Sequence, residues 1–194
     1  MIELEDYDHE AILASVENPY WVVDDEELAK RCSEWAECSI IGLDTEFIRT
    51  DTYYPIPGLI QISDHRCCYL IDPLSIKAWD PFRALLKNPA VIKVLHSPGE
   101  DLEVFRHSYS VMPTPMLDTQ LAAGFVGWGY SLGLQRLLRH ALDVELAKGE
   151  TRSNWLQRPL TSDQEHYAAM DVAYLPKLAE ILLNQLESLD RLSW

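Results

Sequence analysis

Basic side chains are scarce in this sequence. Lys and Arg together number 16 against 31 Asp and Glu, which gives a formal net charge of −15. That balance argues against a nonspecific polyanion binder or a membrane-surface binder working through its own positive field. It leaves room for an enzyme that meets a short piece of nucleic acid through bound cations. Long apolar runs are missing too: none approaches the ~18 residues of a membrane span, so no membrane partner is expected. The N-terminus, M-I-E-L-E-D-Y-D, is acidic where a secretory signal would be basic and then apolar. Only four cysteines occur (Cys32, Cys38, Cys67, Cys68), and none forms a C-x-x-C pair. Free thiols in a reducing compartment, and hence a cytoplasmic protein, are the expectation. Repeats and low-complexity tracts are absent.

The rest of the composition is ordinary for a globular protein: 194 residues, 47% apolar and 24% charged. This length suits a single domain over 1–194 with a real core. Residues 1–18 are polar and weakly patterned and read as an N-terminal arm. Tyr20–Val23 reads as a short strand, and Asp24 as the N-cap of a helix over about 25–37. Residues 39–47 form the first strong strand. Residues 49–57 hold two prolines and read as a loop. Gly58–Asp64 and Cys67–Ile71 are strands around a tight turn. Helix is expected over about 79–87, a buried strand at Val91–His96, and a helix opened by Pro98 and Gly99. Further helices are expected over about 118–125 and 131–141, and a long one over about 162–188. The pattern predicts an α/β domain with a mixed five-stranded sheet. Its three early strands form an antiparallel meander, and helices flank the sheet.

Three places put carboxylates where an apolar surface is expected. In I-I-G-L-D-T-E-F (40–47), Asp44 and Glu46 are two apart on a strand and share a face, with Thr45 opposite. A strand emerging into solvent would also tolerate them. In L-H-S-P-G-E-D-L-E-V-F (95–105), Asp101 falls in the first turn of a helix, where the helix dipole favours an anion. It lies about 40° from Phe105 around that helix, beside the apolar stripe. On the last helix the stripe Leu175, Leu178, Leu182, Leu186 runs back through Asp171 to Tyr167 at steps of three and four. A buried, unpaired carboxylate costs several kcal/mol or takes up a proton, unless a cation or a solvated gap relieves it. If Asp44, Glu46, Asp101 and Asp171 converge, they make an all-oxygen anionic pocket of the kind that holds Mg²⁺ or Mn²⁺.

At these residues the chain resembles a known family. D-T-E-F (44–47), H-S-P-G-E-D-L-E-V-F (96–105) and Y-A-A-M-D (167–171) resemble the three motifs of the DEDD 3′–5′ exonuclease superfamily, and the Tyr-x-x-x-Asp spacing resembles its DEDDy branch. T-Y-Y-P (52–55), G-L-I-Q (58–61), I-D-P-L (71–74), L-D-T-Q (117–120) and W-L-Q-R-P-L (155–160) bring it nearer to the bacterial ribonuclease D family, over roughly residues 20–188. The resemblance implies a ribonuclease H-like fold and metal-dependent 3′–5′ removal of nucleoside 5′-monophosphates. The implied substrate is RNA with a free 3′ end, chiefly tRNA precursors. It implies Asp44, Glu46, Asp101 and Asp171 as ligands of two divalent ions, Mg²⁺ or Mn²⁺, and Tyr167 as the residue that orients the attacking water. The family continues into small helical C-terminal domains that help grip RNA. This chain stops at Trp194, as an excised catalytic domain or a short relative would, and it is expected to be a monomer. A DNA exonuclease of the same superfamily and a noncatalytic nucleic-acid-binding domain are the competing readings.

Other residues are weighed singly. Thr45, Phe47, His96 and Tyr54 are candidate substrate contacts, with Tyr53 beside Tyr54 as a second ring able to stack on a base. Arg49, Arg66, Arg152 and Arg158 are candidate phosphate contacts, although Arg158, like Trp155, is also a candidate for packing and pairing. Asp118 reads as a helix N-cap and not as a fifth ligand. His166 competes with Tyr167 for the water. It lies about 140° from Asp171 on a helix, against about 40° for Tyr167.

Overall fold

A computed structural model describes residues 8–145 and 153–193. In chain order the elements are α1 (His9–Glu17), β1 (Tyr20–Val22), α2 (Asp25–Trp35), β2 (Ile40–Ile48), β3 (Ile56–Ser63), β4 (Cys68–Ile71), α3 (Asp80–Lys87), β5 (Ile92–Leu95), α4 (Gly99–Ser108), β6 (Met116–Asp118), α5 (Thr119–Phe125), α6 (Leu134–Leu142), α7 (Ser162–Ala173) and α8 (Leu175–Ser188). The strands form one mixed sheet in the order β1-β4-β3-β2-β5-β6. β2, β3 and β4 are the expected antiparallel meander. β1, β5 and β6 join in parallel.

The sheet has six strands, where five were expected. The sixth, Met116–Asp118, adds to β5 in parallel, Val94 opposite Leu117. Three residues following Pro113 and Pro115 are too few to display alternation. Asp118 does cap a helix: its Oδ1 accepts from the backbone N–H of Gln120 at 2.8 Å. The segment read as an arm carries α1, capped by Asp8 and burying Ile12 and Val16. Two buried apolar residues four apart, with Leu13 exposed beside them, are a faint signal in a nine-residue helix.

β2 divides the core by its alternation. Ile41 and Leu43 face a cluster built with Leu28, Trp35, Phe82 and Phe105 from α2, α3 and α4. Ile40 faces the other side, where Val172, Leu175, Leu178 and Leu182 of α7 and α8 pack. On that side β2 also presents Gly42, Asp44 and Glu46.

The long last helix is two helices, broken at Tyr174. Pro176 explains the break. It has no N–H to give the carbonyl four residues back, that of Val172. The Ser63 hydroxyl on β3 takes over and donates to Val172 O at 2.5 Å. Gly42 lets this joint press on the sheet: a Cβ there would lie 2.4 Å from Ser63 Oγ and 3.0 Å from both Val172 O and Leu175 Cβ. The carboxylates of β2 and α7 are therefore brought together by backbone contact.

Candidate active site

The alternation of β2 carries Asp44 and Glu46 onto the α7 side, and a bulge between Glu46 and Phe47 ends the regular register. α7 begins at Thr161, whose side chain accepts from Gln164 N at 3.2 Å while the Gln164 side chain accepts from Thr161 N at 3.0 Å. This capping box fixes the helix start, and Tyr167 and Asp171 follow one turn apart. Carboxylate oxygens of Asp44, Glu46 and Asp171 all lie within 4.8 Å of one another. Asp101 stands beside this trio and outside it. Its Oδ1 accepts from Thr45 Oγ1 at 2.6 Å and from Thr45 N at 3.1 Å.

The electrostatics are those of acids crowded away from water. Burial, and then the charges of Asp101, Asp171 and Glu46, hold the Asp44 carboxyl well above the usual carboxylate range. Burial, Asp171 and Asp101 push Glu46 up to about 9. Asp171 rises to about 6 through burial, against the opposing hydrogen bond from the Tyr167 hydroxyl. Asp101 is also raised by burial, while its bonds from Thr45 act the other way. Burial and the neighbouring carboxylates raise Tyr167 far above an ordinary phenol, so it stays protonated at neutral pH and acts as a donor.

An open cleft of about 890 Å³ is lined by Asp44, Glu46, Phe47, Arg49, Asp101, Trp155 and Tyr167 among others. A smaller pocket of about 250 Å³ adjoins it, walled by His96, Leu134 and Leu175 with Asp44, Glu46, Tyr167 and Asp171. A phosphodiester strand end fits such a cleft beside its anionic wall only if cations cover the charge. The donor set agrees with that: all candidate donor atoms are oxygens, three carboxylates are crowded, and among the described residues no Lys or Arg pairs with them. Hard divalent ions suit this chemistry. A further sign is Gln61, which pairs in register with Asp44 on β3. Its amide nitrogen and oxygen are both buried without a partner among the described residues.

The other sequence candidates separate. His166 sits on the far side of its helix, its Nδ1 3.6 Å from Glu17 of α1. Phe47 lines the cleft, and His96 lines the small pocket with Nδ1 2.9 Å from Thr119 Oγ1. Burial lowers the pKa of His96. The Thr45 side chain is spent on Asp101. Tyr54 lies apart from the cleft lining, stacked on His107 with ring centroids 3.7 Å apart, and Tyr53 meets it edge-on. Arg49 is on the cleft rim and pairs with Glu103 and with Glu100. Of the two roles expected for Arg158, packing and pairing is the one observed and a phosphate contact is not, since its donors are all engaged within the protein. Arg66 is exposed, and Arg152 lies outside the described residues. The sequence reading missed Ser153 and Asn154 as cleft residues; their only signal was adjacency to W-L-Q-R-P-L.

Comparison with known proteins gives a consistent picture. Residues 19–187 match the family described as 3′-5′ exonuclease. Ribonuclease D of Pseudomonas paraeruginosa is 50% identical over 158 residues, 81% of this chain and 42% of that protein. The chain spans less than half the length of the curated relatives it matches. The crystal structure of Escherichia coli RNase D, described as an exoribonuclease involved in structured RNA processing, superposes with a TM-score of 0.85 at 43% identity, covering 88% of this chain and 46% of that one. Brucella melitensis NrnC with bound Mg²⁺ superposes with a TM-score of 0.75 at 26% identity, covering 89% and 83%.

Proposed function

This chain belongs to the 3′-5′ exonuclease family, and from that premise we propose that it is a metal-dependent exoribonuclease. It removes nucleoside 5′-monophosphates one at a time from RNA 3′ ends. The observation that carries this reading is the convergence of Asp44, Glu46 and Asp171 within 4.8 Å, with Asp101 held beside them by Thr45. The similarity to ribonuclease D, up to 50% identity, supports RNA as the substrate class.

Asp44, Glu46, Asp101 and Asp171 would hold two divalent ions, Mg²⁺ or Mn²⁺; the Mg²⁺ bound to the related NrnC favours magnesium. Ions held there would supply Lewis acidity, lowering the pKa of a water and stabilising the leaving oxygen. The chain's own residues do the rest. Tyr167 remains protonated and hydrogen-bonded to Asp171, so it orients the water and does not remove its proton. Phe47, His96 and Trp155 wall the space for the terminal nucleotide. In the reaction, the water gives up a proton to solvent as its oxygen bonds to phosphorus, and the bond to the 3′ oxygen of the preceding nucleotide breaks. That oxygen takes up a proton as the monophosphate departs.

Precursors of tRNA are the proposed natural substrate, and the catalytic unit is proposed to act as a cytoplasmic monomer. No helix among the described residues is long and apolar enough to cross a membrane. A time course on 5′-labelled RNA with Mg²⁺, Mn²⁺ or EDTA tests the reading. A one-nucleotide ladder abolished by EDTA is expected, and products released from the 5′ end would refute it. Matched RNA and DNA oligomers in the same assay decide between RNA and DNA exonuclease.

A further inference from the structure

We infer that Arg158 is a positioning residue for hydrolysis, acting through Trp155 on Tyr167; this rests on the exonuclease reading above. A guanidinium has five N–H donors in a rigid fork, and here all five are used. Nε and Nη2 donate to the two oxygens of Asp72 at 3.0 and 2.6 Å. Nη2 also donates to Gly58 O at 2.6 Å. Nη1 donates to Trp155 O at 3.0 Å and Gln157 O at 2.7 Å. One side chain thus ties the 155–158 turn to β3 and to the loop after β4. Asp72 is itself fixed, accepting from Leu74 N and from Ser75 Oγ at 3.0 Å each. The tie is close: a Cβ on Gly58 would lie 2.6 Å from Trp155 O and 2.7 Å from Trp155 Cβ.

The consequence reaches the site through packing. Trp155 is buried, and its ring lies 6.2 Å from that of Tyr167, tilted by 34°. Both line the cleft. From the other end, the Gln164 side chain donates to Asn154 O at 3.5 Å and closes the capping box that starts α7. The two ends of the 154–164 segment are thus joined to each other, and Tyr167, just beyond it on α7, packs beside Trp155. Arg158 is not among the residues that line the cleft and has no free donor for a phosphate. Lysine could not replace it, because three donors on a point charge cannot satisfy a fork and three carbonyls.

The test measures kcat and KM on 5′-labelled RNA for Arg158→Met, Arg158→Lys and Asp72→Asn, each in the parent and in a Tyr167→Phe background. The melting shift caused by Mn²⁺ is recorded in parallel. Expected in the parent is a ten- to hundredfold fall in kcat for Arg158→Met, with KM within threefold and the Mn²⁺ shift retained. Arg158→Lys is expected to lose at least tenfold. In the Tyr167→Phe background the further loss should be under threefold, because the hydroxyl being positioned is already gone. If Arg158→Met does not fold, Arg158→Lys and Asp72→Asn decide the matter by the same criteria. Losses that multiply in full in the Tyr167→Phe background, or a rise in KM in place of a fall in kcat, would overturn the inference alone. A parent protein without EDTA-sensitive activity would overturn the functional reading, and this inference with it.

Discussion

Thr45 grips Asp101 twice on a single oxygen, through its hydroxyl at 2.6 Å and its backbone N–H at 3.1 Å, across 56 positions of sequence. The strand that supplies two acids from one face thus orients a third from the other. A hydrogen bond to a charged group contributes about 1.5–3 kcal/mol. Thr45→Val should therefore lower the exonuclease rate by about tenfold or more, while Thr45→Ser stays within about threefold. Initial rates, with melting curves to confirm folding, check this; equal rates for the two variants would separate Thr45 from Asp101 function.

Ligand removal should be far more severe. Asp171→Ala or Asp101→Ala is expected to cost several orders of magnitude in rate with the fold intact. Millimolar Mn²⁺ should raise the melting temperature of the parent, since binding to the folded state alone adds about 2.7 kcal/mol at a hundredfold excess over Kd. Asp44→Asn should shrink that rise. An undiminished rise in this variant would place the ions elsewhere.

The raised acids set a sign for pH. Glu46 stands near 9 and Asp171 near 6 in the folded protein, against ordinary carboxyl values of about 4 when unfolded. Between those values the folded state binds more protons than the unfolded one, so stability falls as pH rises. In EDTA, denaturant midpoints should decline from pH 5 to pH 8, and Glu46→Gln should flatten the decline. Lys93 sets the upper limit of the window. Burial pushes it down to about 8, which makes its own contribution rise with pH above that point. A midpoint that climbs between pH 5 and pH 8 would contradict the electrostatic picture.

Neighbouring residues on α7 make a sharp pair of variants. Tyr167→Phe should cut the rate ten- to a thousandfold, as for a positioned catalytic group. His166→Ala should stay within about threefold, because His166 faces Glu17 and α1. The reverse pattern would assign water orientation to the histidine.

What was legible in the sequence followed local periods. Asp44 and Glu46 showed as i, i+2 on a strand, and Tyr167 and Asp171 as i, i+4 on a helix stripe. The meander showed because its three strands follow one another with no helix between them. What stayed hidden depends on distant partners or on very short elements. Nothing near Arg158 reveals Asp72, 86 positions away, so pairing could be expected of this arginine but its partner could not be named. Pro176 was visible, yet the apolar stripe ran smoothly across it and masked the break at Tyr174. β6 and α1 were too short for their periods to show. Lys93, on a buried strand, gave no hint that three backbone carbonyls, of Asn88, Val91 and Thr114, would take its three donors.

Gly42 acts as a ruler for the whole centre. With only hydrogen at that position, the separation between β2 and the α7–α8 joint is set by the thickness of two backbones. The distance from Asp44 to Asp171 is thereby decided two residues away from Asp44 itself. One added methyl group would be a spacer inserted between the two halves of the site, and it would be felt as a change of gauge, with every donor chemically unaltered.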